Sequence, residues 1–282
     1  MRVIINADDF GYSDESVRAT IELFERGVLS SATIMPRMPA TRSALEFARR
    51  NPAWSFGVHL TFITDDLERP LMDPGRLPTL IRADGRFYST RQTRLRALLG
   101  LLSPEEIATE MRAQIGSVIE AGVAVSHVDS HGHTHKLAAF RDVLRAVLPE
   151  FGIGRVRNAQ NVYLARPLSS ATFWLGRRLA ADIRTHFVTT DRFFMPTAGA
   201  AGVSWADRLL QRMHGADGSL EVGVHPGREE AWRHQEAGMA ARFSARIAAA
   251  GHEMISWNDL RPDARQRALA GKQPLPELRR AD

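Results

Sequence analysis

The sequence predicts an α/β fold: a single-domain (β/α) barrel, closed or nearly so, with parallel strands inside, helices outside and an active site at the C-terminal strand ends. Three observations point there. Short β-type runs alternate with longer helical patterns, the number of these units favours a barrel over an open doubly wound sheet, and polar residues collect where the strands end. With 282 residues, 44% of them hydrophobic, the chain can fill one large core.

The first strand is Arg2-Val3-Ile4-Ile5. A helix over 13–28 follows, with Val17, Ile21, Leu23 and Phe24 spaced for one face, Ser13 as N-cap and Gly27 as stop. Next come a strand at 32–35, a helix at 40–50 ended by Asn51-Pro52, and a strand at 56–60. Ser103-Pro104-Glu105-Glu106 opens a helix to about 121, followed by a strand at 123–130 and a helix at 138–148. Then follow a short strand near Val156, a helix at 170–181, a strand at 220–224, a helix at 229–250 and a short strand near Met254.

Two stretches interrupt the rhythm. Residues 61–102, with Pro70, Pro74, Gly75, Pro78 and Gly85, are too long for a connector and read as a lid or wall over the site. Residues 163–219, with Phe173, Trp174, Phe193 and Phe194, read as a second insertion or a patch meeting something apolar. The barrel domain is thus expected over 1–260 with insertions near 61–102 and 163–219, and 261–282 as a charged, loosely held tail.

Composition narrows the chemistry. Cysteine is absent, which excludes disulfides, thiolate metal sites, iron–sulfur clusters and a cysteine nucleophile, so any metal is held by nitrogen and oxygen. The net charge of +5 is almost wholly arginine, Lys136 and Lys272 being the two lysines, and without a run of basic residues we expect no nucleic-acid partner. Neither GxGxxG nor GxxxxGK[ST] occurs. The apolar run at Met1 to Ile5 is too short for a signal-peptide core, and no window nears the roughly 18 apolar residues of a membrane span, so a cytoplasmic protein is expected.

Asp8-Asp9 closes the first strand, and two adjacent carboxylates are best tolerated where a cation or shared proton compensates them. One of the pair suits a metal and the other proton abstraction; the competing reading, a helix cap, is better filled by Ser13. The run His127-Val128-Asp129-Ser130-His131-Gly132-His133-Thr134-His135 holds four of ten histidines, and on a strand 127, 129 and 131 share a face. A surface polyhistidine loop is its bland alternative. His59 gains weight from this company, and His225, fixed by Pro226-Gly227, suits proton donation to a leaving group or a structural turn. His186, His214, His234 and His252 have no such setting and read as structural or exposed.

Taken together, Asn6-Ala7-Asp8-Asp9-Phe10-Gly11, Gly57-Val58-His59-Leu60, the histidine run from 127 to 135 and His225-Pro226-Gly227 resemble the YdjC-like carbohydrate deacetylases, which include chitooligosaccharide deacetylase and the hopanoid-associated deacetylases. The resemblance spans 1 to about 256 in the family's order and implies a distorted (β/α) barrel that removes acetyl from an N-acetylated amino sugar with one divalent cation. It implies Asp9, His59 and His131 as metal ligands, Asp8 as general base and His225 as general acid; His127, Asp129, His133 and His135 receive no role. Zinc or magnesium leads as the cation, with manganese or cobalt as alternatives. Asp65-Asp66, Arg69 and the stretch at 163–194 do not name a subfamily, so the sugar is left open: a chitooligosaccharide, or a phosphorylated, nucleotide-linked, lipid-linked or antibiotic amino sugar. A homo-oligomer is left open as well. The competing functions are another metal-dependent hydrolase such as a phosphoesterase, a nucleic-acid module suggested by a pI near 10.3, and a catalytically inactive sugar binder.

Overall fold

The computed structural model describes residues 1–65, 67–164, 171–196 and 205–261. Asp66, the tail from 262 and parts of the second interrupting stretch lie outside the described residues. Seven parallel strands, β1 (Arg2–Phe10), β2 (Ser31–Ile34), β3 (Ser55–Leu60), β4 (Val125–Ser130), β5 (Arg192–Phe194), β6 (Ser219–Val224) and β7 (Glu253–Met254), form one sheet. Its order is β4-β3-β2-β1-β6-β5, with β7 against the start of β1. Isolated parallel bridges Val128↔Val156 and Arg155↔Val188 extend the ladder from β4 toward the chain entering β5, and the sheet curls into the distorted barrel.

Helices α1 (Asp14–Glu25), α2 (Thr41–Arg50), α3 (Thr90–Leu98), α4 (Pro104–Glu120), α5 (Ala138–Val147), α6 (Ala171–His186), α7 (Trp205–Met213) and α8 (Ala231–Ile247) accompany the sheet. Ser13 caps α1 in a reciprocal box with Ser16, and Gly27 stops it at φ +66. Ser103 caps α4 with Pro104 in its first turn. The strand near Val156 consists of single bridges, because too few residues run parallel there for a ladder. The three-residue β5 and helices α3 and α7 fall within the two interrupting stretches; β5 is too short for alternation and α3 has almost no apolar stripe, whereas α7 carries one in Trp205, Ala206, Leu209, Leu210 and Met213.

The alternation of side chains across each strand sorts the molecule into two compartments. Val3, Ile5 and Ala7 of β1, Phe56, Val58 and Leu60 of β3, and Leu220, Val222 and Val224 of β6 enter the main apolar cluster with the helices. Their neighbours Ile4, Asn6, Asp8, Gly57, His59 and Glu221 face the barrel interior. That interior is layered. Ile4, Ile255, Trp257 and Leu260 form an apolar plug at the N-terminal end. His127 stacks on Trp257 with ring centroids 4.4 Å apart and planes 10° apart. A Cβ on Gly57 would stand 2.6 Å from the His127 ring, so only glycine admits this stack. Above it lies a polar layer, and above that the cavity.

Candidate active site

The polar layer is centred on Arg157, which is wholly buried. Its guanidinium grips Asp8 through both terminal nitrogens, Asp129 through Nη1 at 2.6 Å, and Glu221 through Nε at 2.9 Å and Nη2 at 2.7 Å. Phe193 of β5 covers the guanidinium face at 4.8 Å. Buried charges persist only when paired in this way. Burial would raise the Asp8 carboxyl, but the Arg157 charge outweighs it and holds the pKa down at about 2. Glu221, where burial prevails over the same guanidinium, is pushed up to about 7.

Four strand ends converge above this layer. Asp8, Asp9, His59, His131 and His225 line one cavity of about 250 Å³ together with Asp65, Ser130, Gly132, His133, Met195, Trp232 and Arg233. Asp8 and Asp9 are chain neighbours but face opposite duties. Asp8 has both oxygens occupied by Arg157, and Oδ1 also accepts from Asn6 at 2.9 Å. Asp9, turned by a left-handed φ of +59, offers Oδ2 to Arg233 at 2.9 Å and leaves Oδ1 buried without a hydrogen-bond partner. A non-glycine residue in that conformation costs about 1–2 kcal/mol, a strain typical of sites that must aim one atom.

Asp9 Oδ1 lies 3.4 Å from His59 Nε2 and 3.2 Å from His131 Nδ1. His59 Nε2 is itself buried without a partner. Ligands at about 2.0–2.1 Å from a tetrahedral cation stand about 3.3 Å apart, so one carboxylate and two imidazoles fit a divalent metal here. Each imidazole is braced from behind: His59 Nδ1 meets Asp129 Oδ1 at 2.7 Å, and His131 Nε2 meets Asp65 Oδ2 at 2.9 Å. Burial opposes a charge on His59, but Asp129 overrides it and lifts its pKa to about 9. The negative surroundings therefore favour a cation at this point.

His225 begins the chain after β6. Its backbone N–H donates to Glu236 Oε2 of α8 at 2.9 Å, and its Nδ1 lies 3.1 Å from the same oxygen. Burial would lower its pKa, but the hydrogen bond to Glu236 and the charge of Asp9 raise it. Trp232 meets its ring edge-on at 5.5 Å.

The remaining histidines divide differently. His127 belongs to the layer beneath, where burial holds it neutral, and does not line the cavity despite sharing a strand face with Asp129. Gly132 and His133 both adopt left-handed backbone, so the run leaves the strand as soon as His131 is placed. His133 lines the cavity wall against Phe193, and His135 bonds Ser130 Oγ at 2.7 Å; burial lowers both, His135 to about 3. Sequence reasoning missed Arg157, Arg233, Glu221, Glu236 and Trp232. The one local signal was an acid in the strand Leu220-Glu221-Val222, a polar residue at an inward position.

Comparison with known proteins gives the family. The profile of the YdjC-like protein family matches residues 2–257, nearly the whole chain. This chain belongs to the YdjC-like family. It is 37% identical over 228 residues to a carbohydrate deacetylase of Listeria monocytogenes serotype 4b, covering 80% of this chain and 81% of that one. Another carbohydrate deacetylase, from Halalkalibacterium halodurans, is 35% identical over 158 residues, 54% of this chain and 62% of that one. In Brevibacillus brevis a third matches at 33% over 153 residues, 54% and 58% of the two lengths, so these two matches span about three fifths of the relatives. A similar fold is seen in an Enterococcus faecalis structure, described as a candidate cellobiose-phosphate cleavage protein, at TM-score 0.74 and 25% identity over 92% of this chain and 98% of that one. No helix among the described residues is long and apolar enough to cross a membrane.

Proposed function

We propose that this YdjC-like protein is a metal-dependent carbohydrate N-deacetylase, hydrolysing the acetamide of an N-acetylated amino sugar, an N-acetylglucosamine-type saccharide or glycoconjugate. The observation that carries the reading is the division of labour between adjacent carboxylates: Asp9 keeps a bare oxygen beside two imidazoles, whereas Asp8 is clamped onto Arg157 at the cavity edge. The names of its relatives supply the substrate class.

Amide hydrolysis needs a nucleophile, a stabilised oxyanion and a proton for the departing amine. Asp9, His59 and His131 would hold a divalent cation, zinc or magnesium first. Bound there, such a cation supplies Lewis acidity and a water whose pKa approaches about 7. Asp8, ionised throughout the physiological range, takes the water's proton as attack on the carbonyl carbon begins. Arg157 fixes the orientation of that carboxylate and tempers its basicity. His225, whose protonated form Glu236 favours, gives its proton to nitrogen as the C–N bond breaks, and Arg233 holds Asp9 to its ligand position.

The test is acetate release by metal-stripped protein resupplied with zinc, magnesium, manganese or cobalt. The panel covers free, oligomeric, phosphorylated, nucleotide-linked and lipid-linked N-acetylated sugars; the Enterococcus neighbour's description justifies the phosphorylated disaccharide. We expect Asp8→Asn to abolish turnover with metal retained and His131→Ala to lose the metal. Phosphate release without acetate would move the assignment to a phosphoesterase.

A further inference from the structure

The surface beside the cavity carries a feature that catalysis does not use. Helix α3 has a single buried side chain, Thr93. Leu95, Leu98 and Leu99 succeed one another at helical spacing and stand in solvent, Leu98 at 83% exposure. Leu101 and Leu67 are exposed too, so five of the eight exposed large hydrophobics among the described residues fall within 61–102. Such clustering marks a contact surface rather than scattered exposure.

The charge of the patch is of one sign. From Thr90 to Leu102 there is no acidic residue, and Arg91, Arg94 and Arg96 are interleaved with the leucines. The patch is also tied to the cavity rim. Arg94 donates to the Gly132 carbonyl at 3.1 Å, and the Tyr88 carbonyl just before α3 accepts from Thr64, next to Asp65, at 3.1 Å. Gly132 and Asp65 both line the cavity.

We infer that α3 and its flanking loop dock on an anionic lipid surface, with Leu98 and Leu99 entering the interface and Arg91 meeting the headgroup charge. Apolar side chains interleaved with arginine are the pattern that partitions into such an interface. A second copy of this chain fits less well, because a two-fold contact through this patch would set arginines against arginines. The cavity mouth then opens beside the membrane surface. The inference does not rest on the deacetylase reading, since its readout is binding alone.

The test is co-sedimentation of the full chain with vesicles of phosphatidylcholine, with and without phosphatidylglycerol. We expect binding to the phosphatidylglycerol vesicles that weakens as salt rises from 50 to 500 mM, and about ten-fold weaker partitioning for Leu98→Ser/Leu99→Ser. Arg91→Glu, at an exposed position, should weaken binding to the charged vesicles and leave the thermal melt unchanged. Absence of binding to either vesicle, or equal binding by these variants, would overturn the inference. So would a dimer in sedimentation velocity that Leu98→Ser/Leu99→Ser converts to monomer, which would assign the face to a second copy.

Discussion

Replacing Glu236 by glutamine tests the proton-donor assignment at one oxygen. The substitution preserves an acceptor for the His225 backbone N–H, now 2.9 Å away, but removes the negative charge 3.1 Å from Nδ1. Glu236 is buried, so little solvent screens the pair. An opposite charge at such range shifts a pKa by about 1–3 units. Burial, which lowers the His225 pKa, is then less strongly opposed. An acid catalyst works while protonated, so a raised pKa keeps activity up to higher pH. The glutamine variant should therefore lose the alkaline limb of kcat/KM about 1–3 pH units earlier and keep near-normal rates below both limbs. Rates at spaced pH values and an NMR titration of the His225 ring give two independent readings. A limb that does not move while the whole profile falls would show that Glu236 acts by packing and that His225 is not the acid.

Asp129→Asn should weaken metal affinity about 10–100-fold in competition with a chromophoric chelator, because His59 loses the carboxylate that aims it. Gly57→Ala should lower stability by about 1–3 kcal/mol in urea unfolding, since the new methyl meets the His127 ring and backbone together; an unchanged midpoint would show the stack moves freely. The Asp8 pKa lies below its ordinary 3.8, at about 2, so its pairing stabilises the fold above pH 3.8 and the contribution disappears as pH falls through 2. At about 1.4 kcal/mol per unit this is about 2 kcal/mol, so the unfolding free energy of the parent should exceed that of Asp8→Asn at pH 5 and the gap should close by about that amount as pH falls to 2.

Much of this was written locally. Ser13 and Gly27 bound α1 by their own capping chemistry, and Ser103-Pro104 does the same for α4. The inward positions of the strands were legible as polar residues at every second place, Asn6 and Asp8 in β1, His127 and Asp129 in β4, Glu221 in β6. Histidine at the ends of β3 and β6 was equally visible. The three-residue β5 was not, because three residues carry no periodicity. Nor was α3, whose leucines line no buried stripe.

The sequence by itself determined the alternation of strand and helix, the inventory of nitrogen and oxygen ligands, and their place at strand ends, because these follow from periodicity and residue chemistry within a few positions. Tertiary structure alone decided that Arg157, just past two single-residue bridges, sits under Asp8 from 149 positions away, and that Glu236 faces His225 from a separate helix. It also decided that His127 belongs to the plug beneath the site while His131 opens onto the cavity. Distances such as these depend on how a whole sheet curls, and no local window of sequence holds that closure.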